Sequence, residues 1–405
     1  MKIKISHPLG TGQSACTGCG ACAAACPANA ISLQPDDEGF LHPHISGEIC
    51  TDCGLCQKIC PINSGLLAND ANDSQHRADH LPAVYAAWHR DDSIRFASSS
   101  GGVFTALAEN ILKEGGGVVG AAFDDQLVVR HRLAQTLADM DRLRGSKYVQ
   151  SEISPAIYRQ IHKLLHDGRN VLFSGTPCQV ASLRNFLVKD YDKLFCCDIV
   201  CLGVPSPLFF ARYVQYNIVR GKRLLNISFR DKITGWKRYS LTRHLHGGIS
   251  KSIDIFADPY MLAFLRNFAL RPSCYNCKFK STLRHGDLTL GDFWGVAKRY
   301  PEYDKDDQGT SLVLVNTEKG KNLLENCSPH LFLGSADLDT AIAGNPMLIR
   351  SANFPPERNT FYHDLQVDSF AMITKKYRLF QPSFLRRVFS AGKRRLIGTL
   401  NVCSN

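Results

Sequence analysis

No run of the 405-residue chain approaches the roughly 20 consecutive apolar residues that a membrane-spanning helix requires. The opening MKIKISHPLGTGQSA lacks the apolar core of a secretory signal. Both absences predict a cytoplasmic chain, in a compartment where thiols stay reduced and free to bind metal. Also missing at any strand-to-helix turn are GxGxxG and GxxxxGK[ST], so neither a Rossmann dinucleotide site nor a P-loop can be read. Acidic residues are the scarcer charge, 37 against 48 Lys and Arg, for a formal net charge of +11. No nucleic-acid recognition motif accompanies that excess, which leaves nucleic acid outside the expected partners.

Cysteine, by contrast, is plentiful. Of 16 cysteines, eight stand in two copies of one pattern, CTGCGACAAACP from Cys16 and CTDCGLCQKICP from Cys50. Disulfide frameworks belong to short secreted chains, and structural zinc usually takes two CxxC pairs, four ligands to an ion. Each half here is CxxCxxCxxxCP, which resembles the run of bacterial two-cluster ferredoxins, where the cysteine before the proline ligates the other cluster. That pattern assigns Cys16, Cys19, Cys22 and Cys60 to one 4Fe-4S cluster, and Cys50, Cys53, Cys56 and Cys26 to a second. Small residues between the ligands, such as Gly18, Gly20, Ala21 and Gly54, let backbone N–H groups approach the cluster sulfurs.

The sequence predicts a dicluster ferredoxin-type domain over 1–66, a polar linker over 67–81, a larger domain over 82–345 and a basic extension over 346–405. In the larger domain, strand-like AVYAAWH, VVGAAF, LVVRHRLA, VLFSG and LFCCDIV alternate with helical SSSGGVFTALAENILKEGGG, SPAIYRQIHKLLHDGRN, TPCQVASLRNFL and SPLFFARYVQYNIV. Thr176 is the expected N-cap of the helix that Pro177 opens. LLNISFRD, WKRYSLTRHL, DLTLGDFW and SLVLVNT add further strands. The expected fold class is α+β or α/β, a small ferredoxin-type domain followed by a mixed-sheet domain.

Three groups in this domain carry chemistry. Cys274 and Cys277 form a CxxC in the loop RPSCYNCKF. Cys178 sits in the first turn of a helix, where the dipole favours thiolate, and Cys201 ends a strand ahead of Gly203 and Pro205. These four are candidates for a third cluster, whereas Cys196 and Cys197 fall inside an apolar strand and read as packing. Ser99, Ser100, Gly101 and Gly102 at a helix start suit an anionic group and equally suit a plain N-cap. Lys147, Lys237 and Asp292 each read either as site residues or as ordinary surface and turn residues.

In order along the chain, SSSGGVFTALAE, LRGSKYVQS, VLFSGTPCQVASL, GWKRYS, RPSCYNCKFK and LTLGDFWG resemble the coenzyme F420 hydrogenase/dehydrogenase beta-subunit family. The resemblance implies an FAD-containing domain with its own 4Fe-4S cluster, passing electrons between iron-sulfur centres and a two-electron acceptor at the flavin. It implies flavin contacts at Ser99 to Gly102, at Lys147 and Tyr148, and at Thr176. A flavin belongs between one-electron clusters and a two-electron substrate because it serves both.

Three clusters, each a 2+ core held by four thiolates, would bring the net charge to about +5. The remaining excess sits in the tail, where Lys375 onward holds eight Lys and Arg and no acid. Such a tail suits an anionic membrane surface, an acidic partner or a helix on its own domain. Two functional classes follow. One is a self-contained reductase fed by a soluble donor or redox protein and acting on a small organic acceptor; the other is an electron-transfer subunit whose catalytic partner is another chain.

Overall fold

The computed structural model describes residues 13–63, 82–218 and 223–380. The basic tail from 381 onward and the whole of the expected linker, 67–81, lie outside the described residues.

In the N-terminal unit, β1 (Ile31–Pro35) and β2 (Leu41–Ile45) pair antiparallel. Short helices over Ala21–Ala25 and Leu55–Lys58 each follow a glycine in the left-handed region, Gly20 and Gly54. Each copy of the cysteine pattern thus turns a loop into a single helical turn.

The larger unit is built on eight strands, β3 (Ala83–His89), β4 (Gly117–Phe123), β5 (Val129–Ala134), β6 (Val171–Gly175), β7 (Leu194–Ile199), β11 (Leu288–Asp292), β12 (Ser311–Val315) and β13 (Leu331–Ala336). Their order is β13-β3-β12-β11-β7-β6-β4-β5. Pairing is parallel from β11 through β7 and β6 to β4, and antiparallel at β5, β12, β3 and β13. The expected mixed sheet is therefore present. Strand β6 is buried on both faces, and its apolar run VLF is what a central parallel strand requires. The helix over Pro155–His166 covers one face with Ile157, Tyr158, Ile161, Leu164 and Leu165, the i, i+4, i+7 stripe of an amphipathic helix.

A second sheet, β8 (Leu224–Asp231), β9 (Ser240–Leu245) and β10 (Ile249–Asp254), is antiparallel. Its core is aromatic. Phe209 stacks on Tyr260 at 4.8 Å and meets Phe370 at 5.7 Å, while Phe210 and Phe229 stand 6.0 Å apart. Such ring pairs each contribute about 0.5–1.5 kcal/mol beyond area burial. Phe361, Tyr362, Leu365, Phe370 and Ile373, from helices over Arg358–Val367 and Phe370–Lys376, join this same core.

The N-terminal unit shares a core with the larger one. Cys19, Ala21, Ala24 and Ile59 pack with Ile153, Ile157, Tyr158 and Val180. Tyr158 donates its hydroxyl to Cys19 O at 2.8 Å, Gln150 donates to Thr17 O at 3.1 Å, and Arg358 forms an ion pair with Glu38.

Because β12 runs opposite to both β11 and β3, the strands β3, β4, β6, β7 and β11 all end at one edge of the sheet. Ligand sites of open α/β sheets lie beyond such an edge. The loops that follow carry Ser98–Gly102, Thr176 with Cys178, and Cys201, and β11 ends there on Asp292.

Candidate functional site

Cys16, Cys19 and Cys22 come from one loop and Cys60 from the other. Burial drives the Cys22 thiol well above its ordinary range, and the charges of Cys19, Cys16 and Cys60 push it further. Around Cys56 the neighbours are Cys53, Cys26 and Cys50, and burial again raises the thiol. The structure thus brings the eight cysteines together in the two sets that the ferredoxin pattern predicts. Gly18 N–H points at Cys16 Sγ (3.4 Å) and Ala30 N–H at Cys26 Sγ (3.2 Å). Such N–H···S contacts support thiolate charge. Cys16, Cys19, Cys22 and Cys60 border a small space instead of meeting at a point. Among the described residues no three His, Cys, Asp or Glu are grouped as a single metal ion would need, whereas a cubane spreads its thiolates wider than zinc's roughly 2.3 Å bonds permit. Four soft donors per set fit an iron-sulfur cluster.

The four candidate cysteines of the larger unit also converge. Cys178 lies in the first turn of the helix over Pro177–Leu187, Cys201 just past β7, and Cys274 and Cys277 at a 3-10 turn over Pro272–Asn276. They border a cavity of about 250 Å³. Burial raises the Cys178 thiol well above its usual range, with Cys277, Cys201 and Cys274 adding to the effect. The helix start predicted the reverse shift, but burial outweighs the dipole here. Cys274 is pushed up to about 12 by burial first. Thiols of this kind would release their protons to solvent when a metal cation binds them as thiolates, which inverts the local preference. Gly203, at φ +153°, passes this close: a Cβ there would stand 3.0 Å from Cys274 Cβ. Cys196 and Cys197 are fully buried in β7 and border neither cavity, as expected of packing.

A larger cavity, about 440 Å³, lies against the first. Ser99, Ser100, Gly102, Lys147, Tyr148 and Thr176 line it, together with Asp292. Gly101 does not. Its N–H donates to Ser311 Oγ at 2.9 Å, and a Cβ would meet Ala87 O at 2.2 Å, so glycine is required there by the approach of two backbones. Gly102 (φ +92°) is the N-cap of the helix over Val103–Lys113. Thr176 forms a capping box with Gln179 and faces Cys178 Sγ at 3.1 Å. The Lys147 ammonium donates to the carbonyls of Arg142, Leu143 and Arg144 at 2.9–3.0 Å, and burial lowers it to about 7. Tyr148 stacks against Phe264 at 4.8 Å. Lys237 is outside this wall; it is 54% exposed and pairs with Asp304 at 2.8 Å.

Sequence reasoning missed three lining residues. Arg230 on β8 grips Asp292 and lies over the Tyr239 ring, 3.9 Å from its centroid. His131 on β5 stands 2.7 Å from Ser151 Oγ and 3.1 Å from Ser174 O, and burial lowers it to about 4, which keeps it neutral. Trp294 stacks on Trp236 at 4.7 Å. Trp294 stood in LTLGDFWG, one of the motifs that carry the family resemblance, whereas His131 in LVVRHRLA and Arg230 in LLNISFRD were read only as strand residues.

The cavities follow one another. Thr17 and Ile62 border both the small space beside Cys16, Cys19, Cys22 and Cys60 and the 250 Å³ cavity. Thr176, Cys201, Leu202, Gly203, Val204 and Met347 border both the 250 Å³ and the 440 Å³ cavities. Among the described residues no helix is long and apolar enough to cross a membrane.

Two ferredoxin-patterned cysteine sets mounted on a mixed-sheet domain define an iron-sulfur electron-transfer protein. Residues 15–64 match the 4Fe-4S dicluster domain, and residues 84–158 and 168–340 match the N-terminal and C-terminal parts of the coenzyme F420 hydrogenase/dehydrogenase beta subunit. The chain belongs to that coenzyme F420 hydrogenase/dehydrogenase beta-subunit family. Among curated proteins none matches it. Among solved structures, a chain of the F420-reducing [NiFe] hydrogenase complex from Methanosarcina barkeri is similar at 18% identity with a TM-score of 0.45, over 66% of this chain and 89% of that one.

Proposed function

We propose that this chain is an iron-sulfur flavoprotein oxidoreductase that takes electrons from a low-potential donor and delivers them in pairs to a small organic acceptor. The observation that carries this reading is the succession of adjoining cavities, two of them bordered by four cysteines and the third by the Ser98–Gly102 loop. When bound, clusters supply single-electron relay and FAD supplies the conversion from one-electron to two-electron chemistry. Cys16, Cys19, Cys22 and Cys60, then Cys50, Cys53, Cys56 and Cys26, then Cys178, Cys201, Cys274 and Cys277 would hold three 4Fe-4S clusters. Ser99, Ser100 and Gly102, at the start of an 11-residue helix, would bind the anionic part of FAD. Tyr148, Phe264 and Trp294 offer aromatic wall to its ring, and Lys147 and Thr176 complete the contacts.

A second reading, an electron-transfer subunit serving a catalytic chain, is favoured by one feature. Cys53 is exposed and flanked by exposed Ile49 and Leu55, a surface suited to a redox protein. Anaerobic iron, sulfide and flavin analysis tests the shared core of both readings, with about twelve irons and one FAD per chain expected. Turnover of organic acceptors by the purified chain with reduced viologen is expected under the first reading. Its absence, with cofactors loaded, selects the second. Absence of flavin removes the flavoprotein reading.

A further inference from the structure

The cavity at Cys178, Cys201, Cys274 and Cys277 is also bordered by Arg271, Lys278, Lys280 and Arg284, and by no carboxylate. Its neighbour at Cys16, Cys19, Cys22 and Cys60 has no charged side chain on its wall. The four cations are not equivalent. Arg284 is neutralised by buried Asp198 at 2.8 Å, and Lys278 is exposed. Lys280 donates its ammonium to Cys201 O and, at 2.9 Å, to Met347 O; both acceptors are neutral. Arg271, 1% exposed, donates to Cys16 O (2.7 Å), Leu41 O (2.9 Å) and Gln150 Oε1 (2.9 Å), and it also meets His42. No carboxylate is among its hydrogen-bond partners either; the nearest anion, Asp36, stands behind His42, 3.1 Å from its Nε2.

A cation that meets only neutral acceptors out of full contact with water, as buried Arg271 and half-buried Lys280 do, favours an anion placed nearby. Both cations sit beside ligand residues, Lys280 on the Cys201 carbonyl and Arg271 on the Cys16 carbonyl. A 2+ core with four thiolates carries 2−, and reduction takes it to 3−. Apolar burial disfavours the extra charge; a fixed ammonium beside the ligands favours it.

We propose that Lys280 holds the inner cluster at a higher potential than its neighbour at Cys16, Cys19, Cys22 and Cys60, so that electrons run downhill toward the large cavity, with Arg271 a charge that both share. This rests on the reading of the inner four cysteines as cluster ligands. Each transfer oxidises the neighbour by one electron and reduces the inner cluster by one, the external donor resupplying the neighbour. Lys280 acts through the ligands and backbone it touches; it is a positioning residue.

An anaerobic redox titration of the full holoprotein, followed by electron paramagnetic resonance, reads the proposal. The inner signal is the one that Cys277→Ser abolishes. In the unsubstituted protein it is expected to titrate above its neighbour. Lys280→Gln is expected to lower it by tenfold or more in the equilibrium between the two clusters, about 59 mV for one electron, with the neighbour unmoved. Lys280→Arg, which keeps the charge, is expected to hold the original value. An inner signal at or below its neighbour, or one that Lys280→Gln leaves in place, overturns the proposal. About eight irons per chain in place of about twelve removes the inner cluster itself, a failure of the underlying reading that the iron count alone identifies.

Discussion

Arg230 and Asp292 face each other as a two-pronged ion pair, Nη1 and Nη2 standing 2.5 and 2.8 Å from the two carboxylate oxygens. Trp236 Nε1 donates to the same carboxylate at 2.7 Å. The pair joins β8 of the small sheet to the end of β11 in the large one, on the wall of the larger cavity. Asp292→Asn leaves a buried guanidinium without its counter-charge, and a loss of about 3–5 kcal/mol is expected, measured by denaturant unfolding. Arg230→Lys keeps the charge but loses the fork that matches a carboxylate, and it is expected to lose less.

Tyr158 ties the N-terminal unit to the sheet. Its hydroxyl donates to Cys19 O and sits 2.8 Å from Ser182 Oγ. Tyr158→Phe removes that donor from a buried carbonyl, a cost of about 1–3 kcal/mol. Iron release to a chelator is expected to quicken for the Cys16, Cys19, Cys22 and Cys60 set and to stay unchanged for the inner set. Loss at an equal rate from both sets would show that Tyr158 acts only on global stability.

His131 gives a pH signature. Its folded value, about 4, lies below the ordinary 6.5 because burial disfavours the cation. Between those values the unfolded chain holds the extra proton, so stability falls as pH drops from about 6.5 toward about 4 and is fully present above 6.5. The span corresponds to roughly 3 kcal/mol. His131→Asn is expected to flatten this part of the profile of unfolding free energy against pH, and an unchanged slope would refute the assignment.

The cysteines separate by position. Cys277→Ser replaces a soft donor with a poor one and is expected to lower iron from about twelve to about eight per chain, leaving the N-terminal sets loaded. Flavin reduction by dithionite or a reduced donor is expected to slow by orders of magnitude. Cys196→Ser sits in packed β7 and is expected to keep its iron and cost about 1 kcal/mol. If Cys196→Ser is the variant that loses iron, the wrong cysteine of the middle strand has been chosen.

What the sequence made legible was local. Ligand spacing, the Thr176 cap and the alternation of VLFSG with TPCQVASLRNFL are set by residues a few positions apart, and each appears where the pattern predicted. Charge relationships were not legible. Arg271 and Lys280 flank the CxxC of Cys274 and Cys277 by three positions on either side, yet their importance depends on which acceptors they find, and those come from Cys16, Leu41, Gln150, Cys201 and Met347. The same holds for Gly101. Its neighbours suggested ligand contact, but the close pass of Ala87, from strand β3, decides the matter. LLNISFRD read correctly as a strand, WKRYSLTRHL only from Ser240, since Trp236–Tyr239 form the turn before it, and nothing in their patterning announced a separate sheet.

Mounting has a consequence for traffic. Tyr158, Gln150 and Arg271 hold one side of the N-terminal unit while Arg358, from the far end of the described chain, grips Glu38 on another. A relay anchored at both flanks has one reach and one orientation, like a fixed terminal and unlike a swinging arm. On the proposed reading, a redox partner would travel to the exposed Cys53 face, so electron supply is expected to scale with partner concentration and ionic strength.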